Sequence, residues 1–132
     1  MPPIANLSEL IRTMQPMQQP GSYVFCTLVQ LPPMLAPEAL MIFREQEGIT
    51  VIVTEAVAQQ FGLPYSFVAA WITLQVHSAL DAVGLTAAVA TALTTAGVSC
   101  NVVAGYYHDH LFVPLAEGGR AVKVLEELAR TG

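Results

Sequence analysis

The sequence predicts an α+β protein in which antiparallel strands carry helices on one face. Three observations lead there. Runs rich in β-branched and aromatic residues, such as YVFCTLV (23–29) and SFVAAWITLQV (66–76), alternate with stretches whose apolar residues recur at helical spacing. Short polar corners, EQEG (45–48) and HDH (108–110), join neighbouring strand runs in the way hairpins do. The second half reads strand, helix, strand, strand, helix, and the first half reads three strands followed by a helix.

Taken in order, NLSELIRTM (6–14) sets Leu7, Leu10, Ile11 and Met14 on one helical face, with Asn6 as N-cap and Pro16 as a stop. QPMQQPGS (15–22) is a breaker segment ahead of the strand YVFCTLV. QLPPMLAPEA (30–39) holds three prolines and is expected to be a loop. Leu40 to Arg44 and Ile49 to Val53 are expected to pair across EQEG, whose Gly48 could take positive φ. Thr54 then caps a two-turn helix, TEAVAQQFG, with Glu55 in the first turn, where the dipole favours an anion, and with Gly62 and Pro64 ending it.

SFVAAWITLQV has the length and content of a strand buried on both faces. Tyr65, just before it, and Phe67 and Trp71 within it fall at alternating positions and read as core. Leu85, Ala88, Val89, Ala92, Leu93 and Ala96 keep the i, i+3, i+4, i+7 rhythm, and Gly97 supplies the C′ position. VSCNVVAGYY (98–107) and HLFVPL (110–115) are strands around the HDH corner, and Ala121, Val124, Leu125 and Leu128 share one face of a last helix. The loosely similar halves, 1–64 and 65–132, are expected as a degenerate duplication, built as ferredoxin-like sandwiches.

Composition narrows the function. Charged residues make up 11% of the 132 residues, against a usual share of about 25%, and hydrophobic residues 54%, so part of the apolar surface is expected to meet a second subunit, as in a homodimer. A net charge of -5 with five Lys and Arg leaves no footprint for a phosphate backbone, which argues against nucleic acid. Ala82 to His108 holds no Asp, Glu, Lys or Arg, but its threonines and Gly97 interrupt the run, so no membrane span is expected. MPPIANLSEL lacks the basic and apolar regions of a secretory signal, so the cytoplasm is the expected location. Cys26 and Cys100 show no ligand spacing and read as buried thiols.

His108, Asp109 and His110 are the chemically richest cluster. His108 and His110 would face the same way on a strand, and with His77 they form the candidate set for a metal site or a metal-dependent enzyme. The alternative is a polar hairpin tip. No nucleophile elbow or P-loop accompanies the cluster, so it is not read as catalytic. Glu45 and Glu47 read as a solvated turn, and Ser78 and Asp81 as caps for the helix at Leu85.

VHSALDAVGLTAAVATALTTAGVSCNVVAG (76–105) resembles the ACT domain, a small regulatory module that binds amino acids. The matching features are Asp81-x-x-Gly84-Leu85 after a strand, a helix ending in Ala96-Gly97, and the strand VSCNVVAG. With GYYHDHLFVP (105–114) and FREQEGITVIV (43–53), nearly the whole chain is similar to small stand-alone bacterial proteins that have two ACT-like halves and no enzyme domain. The resemblance implies a non-enzymatic regulatory module that takes an amino acid and no cofactor, at an interface between halves or subunits. Backbone N–H groups at Val83, Gly84 and Leu85, with Ser78 and Asp81 nearby, would hold the ligand carboxylate at a helix N-terminus. The ACT-type arginine sensors of animals carry a Thr-Asp pair at the corresponding hairpin, which implies Asp109, with His108, as the acceptor for the ligand ammonium. An ACT half needs a βαββαβ order, and no strand follows the last helix. The missing strand is expected from within the chain, with Ser66 to Val76 continuous with both sheets.

Overall fold

The computed structural model describes residue 3 and residues 6–132. In chain order its elements are α1 (Leu7–Thr13), β1 (Pro16–Gln18), β2 (Tyr23–Leu28), β3 (Met41–Arg44), β4 (Ile49–Thr54), α2 (Glu55–Gln60), β5 (Val68–Leu74), α3 (Leu85–Thr95), β6 (Asn101–Ala104), β7 (Asp109–Pro114) and α4 (Gly118–Thr131), with 3₁₀ turns at Ala36–Glu38 and Leu115–Glu117. They form two compact units, one of residues up to 20 with 70–132 and the other of residues 21–69.

In the larger unit, α1 starts where Asn6 Oδ1 accepts the Glu9 N–H at 3.0 Å, and it stops as Met14 turns extended two residues before Pro16. The segment after it is not wholly irregular, as its breaker residues had suggested. Pro16 pairs antiparallel with Leu74, Met17 with Thr73 and Gln18 with Ile72. Backbone bonds from Gln19 N–H to the Trp71 carbonyl and from Gln75 N–H to the Gln15 carbonyl, both 2.8 Å, extend the ladder. A proline is tolerated because β1 is an edge strand of three residues, which needs few donors.

The strand order of this unit is β1-β5-β7-β6. The strand missing after α4 is therefore β1, donated by the first half of the chain. Ala70, Ile72 and Leu74 of β5 and Leu111 and Val113 of β7 turn one face of the sheet toward the helices, where they meet Leu10, Ile11 and Met14, Leu85, Val89 and Leu93, and Ala121 and Leu125. Each of these leucines is within a few per cent of complete burial, worth about 1.5–3 kcal/mol apiece in transfer from water.

The smaller unit has the order β3-β4-β2-β5, of which β5 contributes Val68 and Ala69, opposite Val24 and Tyr23. Its core is Val24, Cys26, Leu35, Val51, Val53 and Ala58. Where a βαββαβ order calls for a first helix, this unit has only the turn Ala36–Glu38, because Pro32, Pro33 and Pro37 remove the donors a helix needs. In α2 the Thr54 hydroxyl accepts the Val57 N–H at 3.2 Å, and Gly62, at φ +67°, ends the helix.

Two local expectations change. Gly48 does not take positive φ; a glycine is required there because a Cβ would stand 2.9 Å from Thr27 Oγ1. Tyr65, Phe67 and Trp71 are half-buried rather than core, since polar groups claim two of them: the Tyr65 hydroxyl donates to Glu55 at 2.8 Å and Trp71 donates to His110. No helix among the described residues is long and apolar enough to cross a membrane.

Two outcomes follow from the donated strand. A fragment of residues 65–132 lacks α1 and β1, and it is expected to show no cooperative thermal transition by circular dichroism. Gly132 lies against Ile11, so fusing residues 6–20 after Gly132 through a Gly-Ser linker is expected to restore the transition. Cooperative melting of the bare fragment would refute this. In the full chain, Leu10→Ala is expected to cost about 2–5 kcal/mol in denaturant unfolding; a loss below about 1 kcal/mol would mean that α1 does not anchor the unit.

Candidate functional site

The site is built in the larger unit, where the chain leaves β5 for α3 and where β6 turns into β7. Gly84 is the N-cap of α3 at φ +106°, and a Cβ there would stand 2.9 Å from Leu7 Cδ2. Only glycine meets both conditions without strain. The first helical bond runs from Ala88 N–H to the Gly84 carbonyl at 2.9 Å, which leaves the N–H groups of Leu85, Thr86 and Ala87 without acceptors inside the helix. No side chain caps this end and no acidic residue sits in its first turn. Its positive end is thus left to a ligand or to water.

Ser78 and Asp81 do not cap α3. The Ser78 hydroxyl donates to the Ala79 carbonyl at 3.2 Å, and both residues precede a helix that begins only at Leu85 because Gly84 is held in the left-handed region.

The β6–β7 corner is closed by Gly105 N–H donating to the His108 carbonyl at 2.8 Å, with Ala104 opposite Asp109 in the ladder. Tyr106 and Tyr107 project from it, ring centroids 5.0 Å apart, and Tyr107 meets His77 at 5.6 Å. A cavity of about 460 Å³ lies at this corner. Gly84, Leu85, Thr86, Ala87 and Ala90 line it from α3, residues 78–80 and Ala82 from the preceding segment, and Ala104, Gly105, His108 and Asp109 from the hairpin.

Five of the residues singled out in the sequence, Ser78, Gly84, Leu85, His108 and Asp109, therefore share one cavity. Asp81 instead lines a neighbouring cavity of about 260 Å³ with His77, Ser78 and Tyr106. Val83 is 82% exposed and lines neither. The reading of the sequence missed Thr86 and Ala87. Val83, Gly84 and Leu85 were expected as the donors, two residues too early, whereas an N-cap at Gly84 makes Leu85, Thr86 and Ala87 the first-turn donors.

Burial pushes the Asp109 carboxyl above its ordinary value, opposed by the His110 and His108 rings. His110 is pushed below the ordinary 6.5 by burial first and by His108 second, while Asp109 pulls the other way. Its Nδ1 accepts the Trp71 Nε1–H at 3.0 Å and lies 3.3 Å from Thr73 Oγ1, which in turn accepts from Gln19 Nε2 at 3.1 Å. This buried polar chain had no signal in the sequence, because Trp71 and Thr73 sit in an apolar strand run.

The three histidines are not gathered as ligands. His77 packs at a tilt against Tyr107, the rings of His108 and His110 are 6.4 Å apart, and Nδ1 of His110 is occupied by Trp71. Among the described residues no three His, Cys, Asp or Glu side chains cluster at metal-binding distance. Burial raises both thiols, that of Cys100 to about 11, so neither is a ready nucleophile.

Comparison with known proteins joins these features. A family model for the ACT domain matches residues 2–70, and a second ACT-domain model matches residues 66–127. A solved structure of a Vibrio cholerae protein of unknown function, described as a possible transport protein, is 44% identical over 93% of this chain and 95% of that one, with a TM-score of 0.84. An Agrobacterium tumefaciens protein is 20% identical over 88% and 89% of the two chains, with a TM-score of 0.69. The ligand-free regulatory subunit of aspartate kinase from Thermus thermophilus is 10% identical over 89% and 97%, with a TM-score of 0.62. These last two share the fold. No curated protein matches the chain. With two domain matches that meet at residues 66–70 and together cover residues 2–127, the chain belongs to the ACT-domain family and carries two ACT domains.

Proposed function

We propose that the chain is a non-catalytic regulatory protein that captures an amino acid in the cavity at the N-terminus of α3. One observation carries the reading: a helix end with free donors and no internal counter-charge shares a cavity with an isolated, half-buried carboxylate. These are complementary to the two ends of a zwitterion. The ligand carboxylate binds the N–H groups of Leu85, Thr86 and Ala87, where the dipole and the close approach allowed by Gly84 both favour an anion. The ammonium binds Asp109, whose desolvated carboxylate forms no ion pair with a Lys or Arg among the described residues, with His108 beside it. Ser78 lines the same cavity, Asp81 lines the neighbouring one and Val83 lines neither.

Ligand capture regulates when it favours one arrangement of units or subunits over another. The sparse charge of the chain supports a homodimer as the responding assembly, for which the cytoplasm is the proposed location. The matches to ACT domains support the same reading, as does the likeness in fold to a regulatory subunit of aspartate kinase. Metal-dependent chemistry gains no support, since the histidines it requires are apart.

A thermal-shift panel of the twenty proteinogenic amino acids at millimolar concentration tests the proposal. At least one is expected to stabilise the protein, by about 2.7 kcal/mol at a hundredfold excess over Kd. No shift with any of them would remove the amino-acid reading. Asp109→Asn keeps the shape and removes the charge, and it is expected to weaken binding of the strongest stabiliser about ten- to a hundredfold, as loss of a hydrogen bond to a charged group worth about 1.5–3 kcal/mol predicts. Undiminished affinity in titration calorimetry would take Asp109 out of the site.

A further inference from the structure

We propose that His110 is a proton-sensitive positioning residue: its neutral ring, held by Trp71 and Thr73 and packed on Gly105, fixes the hairpin corner that carries His108 and Asp109, and its protonation loosens that corner and weakens ligand capture. The statement about the ring stands on geometry alone, and the statement about capture rests on the amino-acid reading above.

The hydrogen bonds set the tautomer. An indole N–H can only donate, so Nδ1 of His110 must present its lone pair to Trp71, and the ring proton lies on Nε2. Thr73 Oγ1 already accepts from Gln19 Nε2, which leaves its hydroxyl proton for the same Nδ1. Two donors thus converge on one acceptor. A proton on Nδ1 would turn that acceptor into a third donor, and the ring would have to leave its place. The ring cannot leave without disturbing the corner. A Cβ on Gly105 would stand 3.2 Å from Nε2 and 2.8 Å from the His108 carbonyl oxygen, so the imidazole lies directly against the residue that closes the turn. Gly105, His108 and Asp109 all line the cavity.

The charged groups around His110 are few. Asp109 and His108 come from its own hairpin, while β5 presents Trp71 and Thr73, the segment after β1 presents Gln19, and the end of β6 presents Gly105. The sequence holds no Lys or Arg between Arg44 and Arg120. Burial and His108 lower the pKa of His110 in the folded chain, and Asp109 opposes them. Because the folded value lies below the unfolded one, the unfolded chain binds more protons in the window beneath 6.5. The neutral arrangement is therefore fully stable above that pH and is lost as the pH falls through the folded value. The device holds at neutral pH and lets go in acid.

Trp71 is the only tryptophan, so its emission reports the contact directly. In the full chain titrated from pH 8 to 4.5, the emission is expected to change in one step with a midpoint below 6.5, before global unfolding by circular dichroism. His110→Gln keeps an acceptor for Trp71 and cannot titrate, so the step is expected to vanish while the thermal midpoint at pH 8 stays near that of the unaltered chain. His108→Asn is expected to retain the step. A step that survives in His110→Gln, or no step in the unaltered chain before unfolding, overturns the proposal. For capture, the affinity of the panel's strongest stabiliser is measured at pH 7.5 and 5.5. A loss at least threefold larger in the unaltered chain than in His110→Gln supports the coupling, because the variant lacks the His110 charge that opposes the rise of the Asp109 carboxyl, so protonation of Asp109 alone would make the loss in the variant the larger one. Equal losses overturn the coupling. A panel with no stabiliser removes the capture half together with the amino-acid reading and leaves the Trp71 step to decide the rest.

Discussion

The pairing of Pro16–Gln18 with Ile72–Leu74 is the contact on which the larger unit depends. Without it β5 would present a row of unpaired backbone groups, a condition that sheets avoid by covering or pairing their edges. The same short strand fixes where α1 must lie, because only Met14 and Gln15 separate the two. Leu10, Ile11 and Met14 then complete a core that α3 and α4 leave open. The edge of β5 that a last strand fills in a βαββαβ order is filled here by β1.

The site depends on that arrangement through Gly84. Its left-handed backbone sets the first turn of α3, and the side chain that would clash with any Cβ there is Leu7, from the donated helix. Gly105 performs the matching task on the hairpin, where the carbonyl of His108 and the ring of His110 close in on it. Two glycines, far apart in sequence, bring a bare helix end and the Asp109 carboxylate to one cavity. Polar groups away from the cavity are satisfied internally: Glu55 accepts from Ser22 and Tyr65, and Glu45 accepts from Thr50.

The two ACT domains are unequal. The larger unit has a three-turn helix after its first strand, with free donors at its start. The smaller unit has at that position a proline-rich loop with a single 3₁₀ turn, which offers no comparable run of N–H groups. The smaller unit therefore has at that position no counterpart of the uncapped start of α3.

The sequence by itself determined every element whose signal is local. Asn6, Thr54, Gly62 and Gly97 mark helix ends through their own backbone and side-chain chemistry, the strand runs follow β-branched content, and the ACT resemblance rests on contiguous residues such as Asp81-Ala82-Val83-Gly84-Leu85. The presence of Gly84, Leu85, His108 and Asp109 as candidates was legible for the same reason. Only the tertiary structure decided what distant partners decide. A three-residue strand around Met17 has no propensity of its own and forms because β5 pairs with it. Ser78 and Asp81 read as caps, yet α3 starts at Gly84 with no side chain capping it, and Trp71 read as core, yet its indole N–H donates to His110. Hydrogen-bond partners 37 and 39 residues apart leave no trace in periodicity, because periodicity records which face a residue occupies and not which group waits there.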